Sequence, residues 1–304
     1  MDSGVSDNAD FTYLVIGLDD AGNNTDVMML VRYVSLTGSV TFIQIPRDTY
    51  ISVSTPQNKI NQIYAAEISR GTDSRSAMSV CLATISNVFG IRIDGYIAYT
   101  TRAFVSFIDA ISGINLNMPF DLTFSDGERD ITLNKGDNHL DGTDALSLVR
   151  YRKGYAMGDL GRIDAQKILI NSIVRKFKSS ANVFKLLTAF WNNKNELQTN
   201  VKAKNLFDIA LKNRGRMKNL KFEYMTLPGA AVKDNNGIWY FSVNKNAMQT
   251  FYDEREIQIE FDKNNLLCNY NSYEFKNIYF TKTINPVIYD EHGLDKIKIY
   301  RTDE

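Results

Sequence analysis

The first 45 residues hold three apolar runs of strand length, Phe11–Leu18, Val27–Val34 and Val40–Ile45, and this crowding constrains the fold more than any other feature of the chain. Runs of this length between polar breaks are the mark of buried strands. Thr37-Gly38 separates the second run from the third and predicts a hairpin. The runs also end in charge: Asp19 and Asp20 follow the first, Asp26 precedes the second, and Pro46-Arg47-Asp48 closes the third. Strand termini are where sheets flanked by helices usually keep their ligand groups. Arg47-Asp48 taken alone describes a local salt bridge equally well.

Helical and extended patterns then alternate. Lys59 to Tyr64 is a short segment, and Ser74 to Phe89 repeats Met78, Leu82, Ile85 and Phe89 at helical spacing before Gly90. Ile91 to Tyr99 reads as a strand and Arg102 to Ile111 as a helix with Phe104, Phe107, Ile108 and Ile111 on one stripe; Ile114, Leu116 and Met118 alternate again. This order predicts an α/β chain with a mixed, partly parallel central sheet flanked by helices. Phe120 to Asp141 reads as a polar loop holding His139 at the surface, and Asp141 or Thr143 caps a helix through Ala145 and Val149. After Gly161 a long helix runs to about Lys178, with Ile163, Ile170, Val174 and Phe177 on its apolar stripe, Arg162 in its first turn and Lys167 among the lysines and arginines elsewhere. Ala181–Trp191, Lys204–Lys212 and Asn246–Tyr252 are further helices, Leu220–Leu227 and Ile238–Val243 are strands, and Pro228-Gly229 is a turn. Residues 1–10 are expected to be disordered, 11–253 to form the main domain, and 254–304 to be a small β-rich extension with Asn-rich turns.

The stretch Arg150 to Gln166 concentrates guanidiniums. Arg150 and Arg152 share a face if extended, and Arg162 and Gln166, four apart, share one on a helix. Planar forks of donors suit phosphate oxygens, and a carboxamide can orient a neighbour, so the stretch with Asp159 points to a phosphate-rich anion. A solvated basic helix end would carry an arginine pair for structural reasons alone. Thirty-five basic and 35 acidic residues cancel, so no net field steers the chain to nucleic acid, and no extended basic stripe with interleaved aromatics is present. Any anion site must be local. Two cysteines rule out a disulfide scaffold, and Cys81 falls on an apolar helix face. Without a long apolar run the chain as given is expected to be soluble, a picture that an anchor upstream would leave unchanged.

Together Val15–Asp19, Asn24–Val31, Ile45-Pro46-Arg47-Asp48-Thr49-Tyr50, Lys59-Ile60-Asn61, Leu140–Leu146, Arg150-Tyr151-Arg152-Lys153, Asp159-Leu160-Gly161-Arg162, Gln166 and Trp239-Tyr240 resemble, in order and spacing, the LytR-CpsA-Psr family from about Phe11 to Tyr252. The resemblance implies α-β-α layers and the transfer of a glycopolymer phosphate from a polyprenyl-pyrophosphate carrier to a cell-wall hydroxyl, usually on peptidoglycan, with Mg2+. It implies that Asp19 and Asp26 hold the metal, and that Arg47, Lys59, Arg150, Arg152, Arg162 and Gln166 meet the pyrophosphate. Asp159 would order the arginines, and Asp19, Asp26, Arg47, Arg152 and Asp159 form the catalytic set. It also implies work at the outer face of the cell membrane through a single N-terminal anchor, and an apolar groove for the prenyl chain for which Phe104, Phe107 and Ile108 are candidates; such a stripe is more often core.

Phosphoryl transfer needs cations around the bridging and leaving oxygens and carboxylates for magnesium, and this inventory has both. Asp19 or Asp26 could also take the acceptor's proton. Two positions depart from the family pattern: Asn24 and Ala165 stand where arginine is common. They motivate a second reading, a weakened paralogue that binds polyprenyl-pyrophosphate lipids as scaffold or regulator; a third, a metal-dependent pyrophosphate hydrolase, follows because water can replace the hydroxyl in the same site.

Overall fold

The computed structural model describes residues 10–19, 24–53, 55–118, 120–127, 129–151, 159–178, 185, 187–188, 192, 196–213, 215, 219–234, 236–254 and 289–290. The chain divides into two compact units, residues 1–98 with 225–288 and residues 99–224 with 289–304. Residues 1–9 and nearly all of 255–304 lie outside the description, and with them the expected disorder at the start and most of the β-rich tail.

In the first unit β1 (Phe11–Leu18), β2 (Thr25–Val34), β3 (Ser39–Ile45) and β4 (Gly95–Tyr99) lie in the order β3-β2-β1-β4. β1, β2 and β3 pair antiparallel as the apolar runs require, and Leu14, Ile16, Met28, Leu30, Ile43 and Ile45 are buried. β4 is shorter than the expected strand, and ahead of it Asp94 meets β1 at Thr12: its carboxylate accepts from the Thr12 amide at 2.9 Å and its own amide donates to the Thr12 carbonyl at 2.8 Å. Lys59–Tyr64 opens a helix that the sequence reading missed, a 3₁₀ turn (Ile60–Gln62) running into α1 (Ile63–Ser69). α2 (Ser74–Phe89) is capped by Asp73, whose carboxylate accepts from the Arg75 and Ser76 amides, and stops at Gly90 with φ 66°. Its inner face carries Met78, Ile85 and Cys81, and burial pushes the Cys81 thiol up to about 12. β11 (Gly229–Lys233) and β12 (Trp239–Val243) form a hairpin, so Gly229 begins a strand instead of completing a turn. The C-terminal helix of this unit, Lys245–Glu254, buries Phe251 and Tyr252, and the Tyr252 hydroxyl donates to the Phe89 carbonyl at 2.8 Å.

The second unit contains α3 (Thr101–Ala110), capped by Thr100, and β5 (Ile114–Met118) paired antiparallel with β8 (Gly136–Leu140). The stretch expected to be a loop is largely strand: β6 (Leu122–Ser125) and β7 (Asp130–Leu133) form a hairpin that buries Leu122, Phe124, Ile131 and Leu133. His139 is exposed and hydrogen-bonded to Asn115. α4 (Gly142–Arg150) starts at the Asp141 cap, and α5 (Asp159–Phe177) begins three residues before the expected start near Arg162. Lys167 is buried, not on the outer face, because Asp164 one turn earlier takes its ammonium at 3.0 Å. On α3 Ile108 is fully buried core, whereas Phe104 and Phe107 are half-buried. β9 (Leu197–Thr199) and α6 (Ala203–Lys212) follow, and β10 (Lys221–Thr226) pairs through Glu223 and Tyr224 with β13 (Tyr289–Asp290). The expected helix over 181–191 lies mostly outside the described residues. Among the described residues no helix is long and apolar enough to cross a membrane.

Candidate active site

Antiparallel pairing puts the end of β1, the start of β2 and the end of β3 at one edge of the first unit, because Leu18 pairs with Thr25 and Met28 with Ile45. A register shift at Gly17/Leu18 marks the point where β1 releases Asp19. The three strand ends then deliver Asp19, Asp26, Arg47 and Asp48 to a cleft of about 390 Å³, which Asn24, Gln57, Lys59, Asn61 and Gln62 complete. The lower wall is fixed by backbone. The Ile60 amide donates to the Thr49 carbonyl at 2.9 Å and the Asn61 amide to the Arg47 carbonyl at 3.3 Å, while the buried Thr25 hydroxyl donates to the Asn61 carbonyl.

Charges in the cleft are interlocked. Arg47 Nη1 donates to Asp26 Oδ1 at 2.8 Å, and its Nε stands 3.9 Å from Asp48, so the neighbouring carboxylate is the weaker partner. Asp48 instead receives Lys59 Nζ at 2.9 Å. Asn24 donates its carboxamide to Asp19 Oδ2 at 2.8 Å, and the Asp19 amide returns to the Asn24 carbonyl at 2.9 Å. Asn24 thus orients Asp19 without adding the positive charge that arginine would bring. Among the described lining residues Asp19, Asp26 and Asp48 face Arg47 and Lys59, three negative charges against two positive. Asp20 lies outside the described residues.

Of the expected site residues, Asp19, Asp26, Arg47 and Lys59 therefore line one cleft. The others belong to the second unit. Arg150 is exposed in the last turn of α4, whereas Arg162 and Gln166 are buried one turn apart on α5, with Gln166 Nε2 donating to the Val149 carbonyl at 3.2 Å. Ala165 is buried on the same helix. Arg152 and the Asp159 side chain lie outside the described residues. The sequence reading did not place Asn61, Gln57 and Gln62 in the site, and it treated Asp48 as a local partner of Arg47. The Lys59-Ile60-Asn61 segment was the available signal, but the fold that lays it along Arg47–Thr49 is not written in it.

Carboxylate and carboxamide oxygens are the donors magnesium prefers. Among the described residues no group of three or more His, Cys, Asp and Glu is placed to hold a metal, so the described residues offer one ion at most a pair of carboxylates. That fits an ion which keeps several waters and takes its remaining oxygens from a phosphate substrate.

The model of the LytR-CpsA-Psr family matches residues 2–256. The chain belongs to the LytR-CpsA-Psr family. Among relatives, it is 27% identical over 267 residues to the polyisoprenyl-teichoic acid–peptidoglycan teichoic acid transferase TagU of Bacillus cereus, covering 85% of this chain and 82% of that protein. It is 26% identical over 255 residues to the protein of the same name from Bacillus subtilis, covering 82% and 78%. The crystal structure of B. subtilis TagV superposes with a TM-score of 0.66 at 23% identity, covering 83% of this chain and 99% of that one. The shared fold of this LytR-CpsA-Psr protein is α/β, a mixed sheet flanked by helices.

Proposed function

We propose that this chain transfers a glycopolymer phosphate from a polyprenyl-pyrophosphate carrier to a peptidoglycan hydroxyl, at the outer face of the membrane. One observation carries the reading: in a member of a family whose named relatives are teichoic acid transferases, the family's motif residues Asp19, Asp26, Arg47 and Lys59 meet at the ends of three strands in one polar cleft.

The acceptor hydroxyl oxygen attacks the phosphorus next to the glycan. A new P–O bond forms, the P–O bond to the lipid phosphate breaks, polyprenyl monophosphate leaves, and a carboxylate of the cleft takes the hydroxyl proton. Arg47 and Lys59 bind and orient the phosphate oxygens. In the resting cleft Asp26 holds Arg47 and Asp48 holds Lys59, and the arriving phosphate displaces Asp26 from one arm of Arg47. The same reading makes Arg150, Arg152, Arg162 and Gln166 pyrophosphate contacts, with Asp159 ordering the arginines. Asp19 and Asp26 would hold a magnesium ion, which supplies Lewis-acid stabilisation of charge on the phosphoryl oxygens when bound. The net negative charge of the described cleft residues supports this, since such a cleft attracts a cation before it attracts pyrophosphate. An N-terminal membrane anchor belongs to the reading as well.

The test is a transfer assay with magnesium, a short prenyl-pyrophosphate-linked glycan and a peptidoglycan fragment, read by mass spectrometry beside Arg47→Ala and Arg152→Ala. A phosphodiester-linked product that both variants lose is the expected result. Release of glycan phosphate at the same rate with and without acceptor would replace transfer by hydrolysis, and donor binding without product would replace it by lipid binding.

A further inference from the structure

We infer that Tyr240 is a positioning residue for Lys59, acting through the face of its ring; the inference rests on the assignment of Lys59 to pyrophosphate recognition made above. An ammonium on a four-carbon stem reaches many places, yet the Lys59 side chain is 12% exposed and its nitrogen has a defined setting. Nζ is 2.9 Å from Asp48 Oδ1 and 5.4 Å from the centroid of the Tyr240 ring. The ring is itself 7% exposed, so its negative face acts on the cation with little water between.

The ring is held on every side the inference needs. Tyr50 meets it edge-on at 5.7 Å and 81°, and Val232 and Ile238 pack against the same cluster. The next residue, Phe241, is stitched to the strand-end segment: its amide donates to the Asp48 carbonyl at 2.8 Å, its carbonyl accepts from the Tyr50 amide at 2.9 Å, and it bridges Thr49 in parallel. Tyr50 in turn bridges Lys59. The carboxylate and the ring that share the ammonium are therefore tied to each other through backbone, and the β11–β12 hairpin holds them at a fixed separation. A carboxylate alone would draw the ammonium down onto itself. The ring pulls from a second direction and leaves donor hydrogens for an incoming phosphate oxygen.

Packing and cation binding predict different responses to fluorine, which drains the ring face of negative charge while barely changing its size. In the full chain, Tyr240 is replaced by phenylalanine and by its mono-, di- and trifluoro analogues, and inorganic pyrophosphate is titrated without metal alongside thermal melts. Phenylalanine should bind within about twofold of tyrosine, and affinity should then fall stepwise, by about two- to fivefold at the trifluoro analogue, with the melting temperature held. In the transfer assay the donor KM should rise along the series while kcat holds. In a Lys59→Met background the series should be flat, because the ring acts through Lys59. A flat series with Lys59 present, or a fall that persists without it, overturns the inference and leaves the role of Lys59 standing. A Lys59→Met chain that binds pyrophosphate as well as the parent overturns both.

Discussion

Asp26→Ala should separate anion binding from transfer. In the resting cleft Asp26 occupies one arm of the Arg47 guanidinium at 2.8 Å, so a pyrophosphate oxygen that wants that arm must displace a carboxylate. Two unit charges at 4 Å attract by about 4 kcal/mol at an effective dielectric of about 20. The Arg47 side chain is 24% exposed and that of Asp26 35%, and solvent contact together with desolvation reduces the net value of such a charge-assisted pair to about 1–2 kcal/mol. Removing the competitor releases that amount to the anion, so metal-free pyrophosphate affinity should rise by about five- to thirtyfold. Transfer should nevertheless fall by a factor on the order of 100 or more, because a carboxylate proposed to hold the metal has gone. Isothermal titration in chelator gives the first quantity and the glycan transfer assay the second. Arg47→Ala should bind pyrophosphate about 10- to 150-fold more weakly, the value of a hydrogen bond to a charged group. In that background Asp26→Ala should bring little further gain. Weaker metal-free binding by Asp26→Ala alone would refute the reasoning, since it would mean that Asp26 presents Arg47 to the anion more than it competes with it.

Two further expectations concern the frame. Burial raises the Cys81 thiol from its ordinary value of 9.0 to about 12, so the folded state keeps the proton where the unfolded chain loses it; stability is whole below about pH 9 and should fall by about 1.4 kcal/mol per unit from there toward 12. Urea unfolding across that range should show the slope reduced in Cys81→Ala, and an unchanged slope would assign the alkaline loss elsewhere. Gly142→Ala should destabilise the second unit by about 2 kcal/mol, because a Cβ there collides with the Val105 backbone of α3, and a melting temperature equal to the parent's would show that α3 and α4 can part at no cost.

Much of this molecule can be read along the chain where neighbours in sequence decide the outcome. β1 to β3 follow from their apolar runs, and α2 is bounded to the residue because Asp73 can cap and Gly90 can turn left-handed. β6 and β7 hid inside an Asp- and Gly-rich stretch: each has four residues, and the partner that makes Leu122, Phe124, Ile131 and Leu133 a buried face is a hairpin strand across a polar turn. Lys167 misled for a related reason, since a lysine counts as solvent-facing until Asp164 is seen to receive it. The first half of the site was legible for the same reason as β1 to β3. Carboxylates and a guanidinium at strand ends need only antiparallel pairing to meet. Tyr240 was visible as half of an aromatic pair, but nothing local says that its ring belongs to Lys59.

The departures from the family pattern also acquire a physical reading. Where arginine is common, Asn24 still binds Asp19, so the orienting function survives and the charge does not. The described cleft has three carboxylates against two cations, a balance that on the proposed function would weaken direct capture of pyrophosphate and strengthen capture of a divalent ion. Ala165 points the same way. It is 3% exposed and sits three residues from Arg162, which is buried to the same extent, so a guanidinium at 165 would place a second buried positive charge one helical turn from the first. The methyl group avoids that repulsion and lets α5 pack. Each position therefore lacks a cation while its neighbours stay in place, and on the proposed function a metal ion would take a larger share of the charge neutralisation.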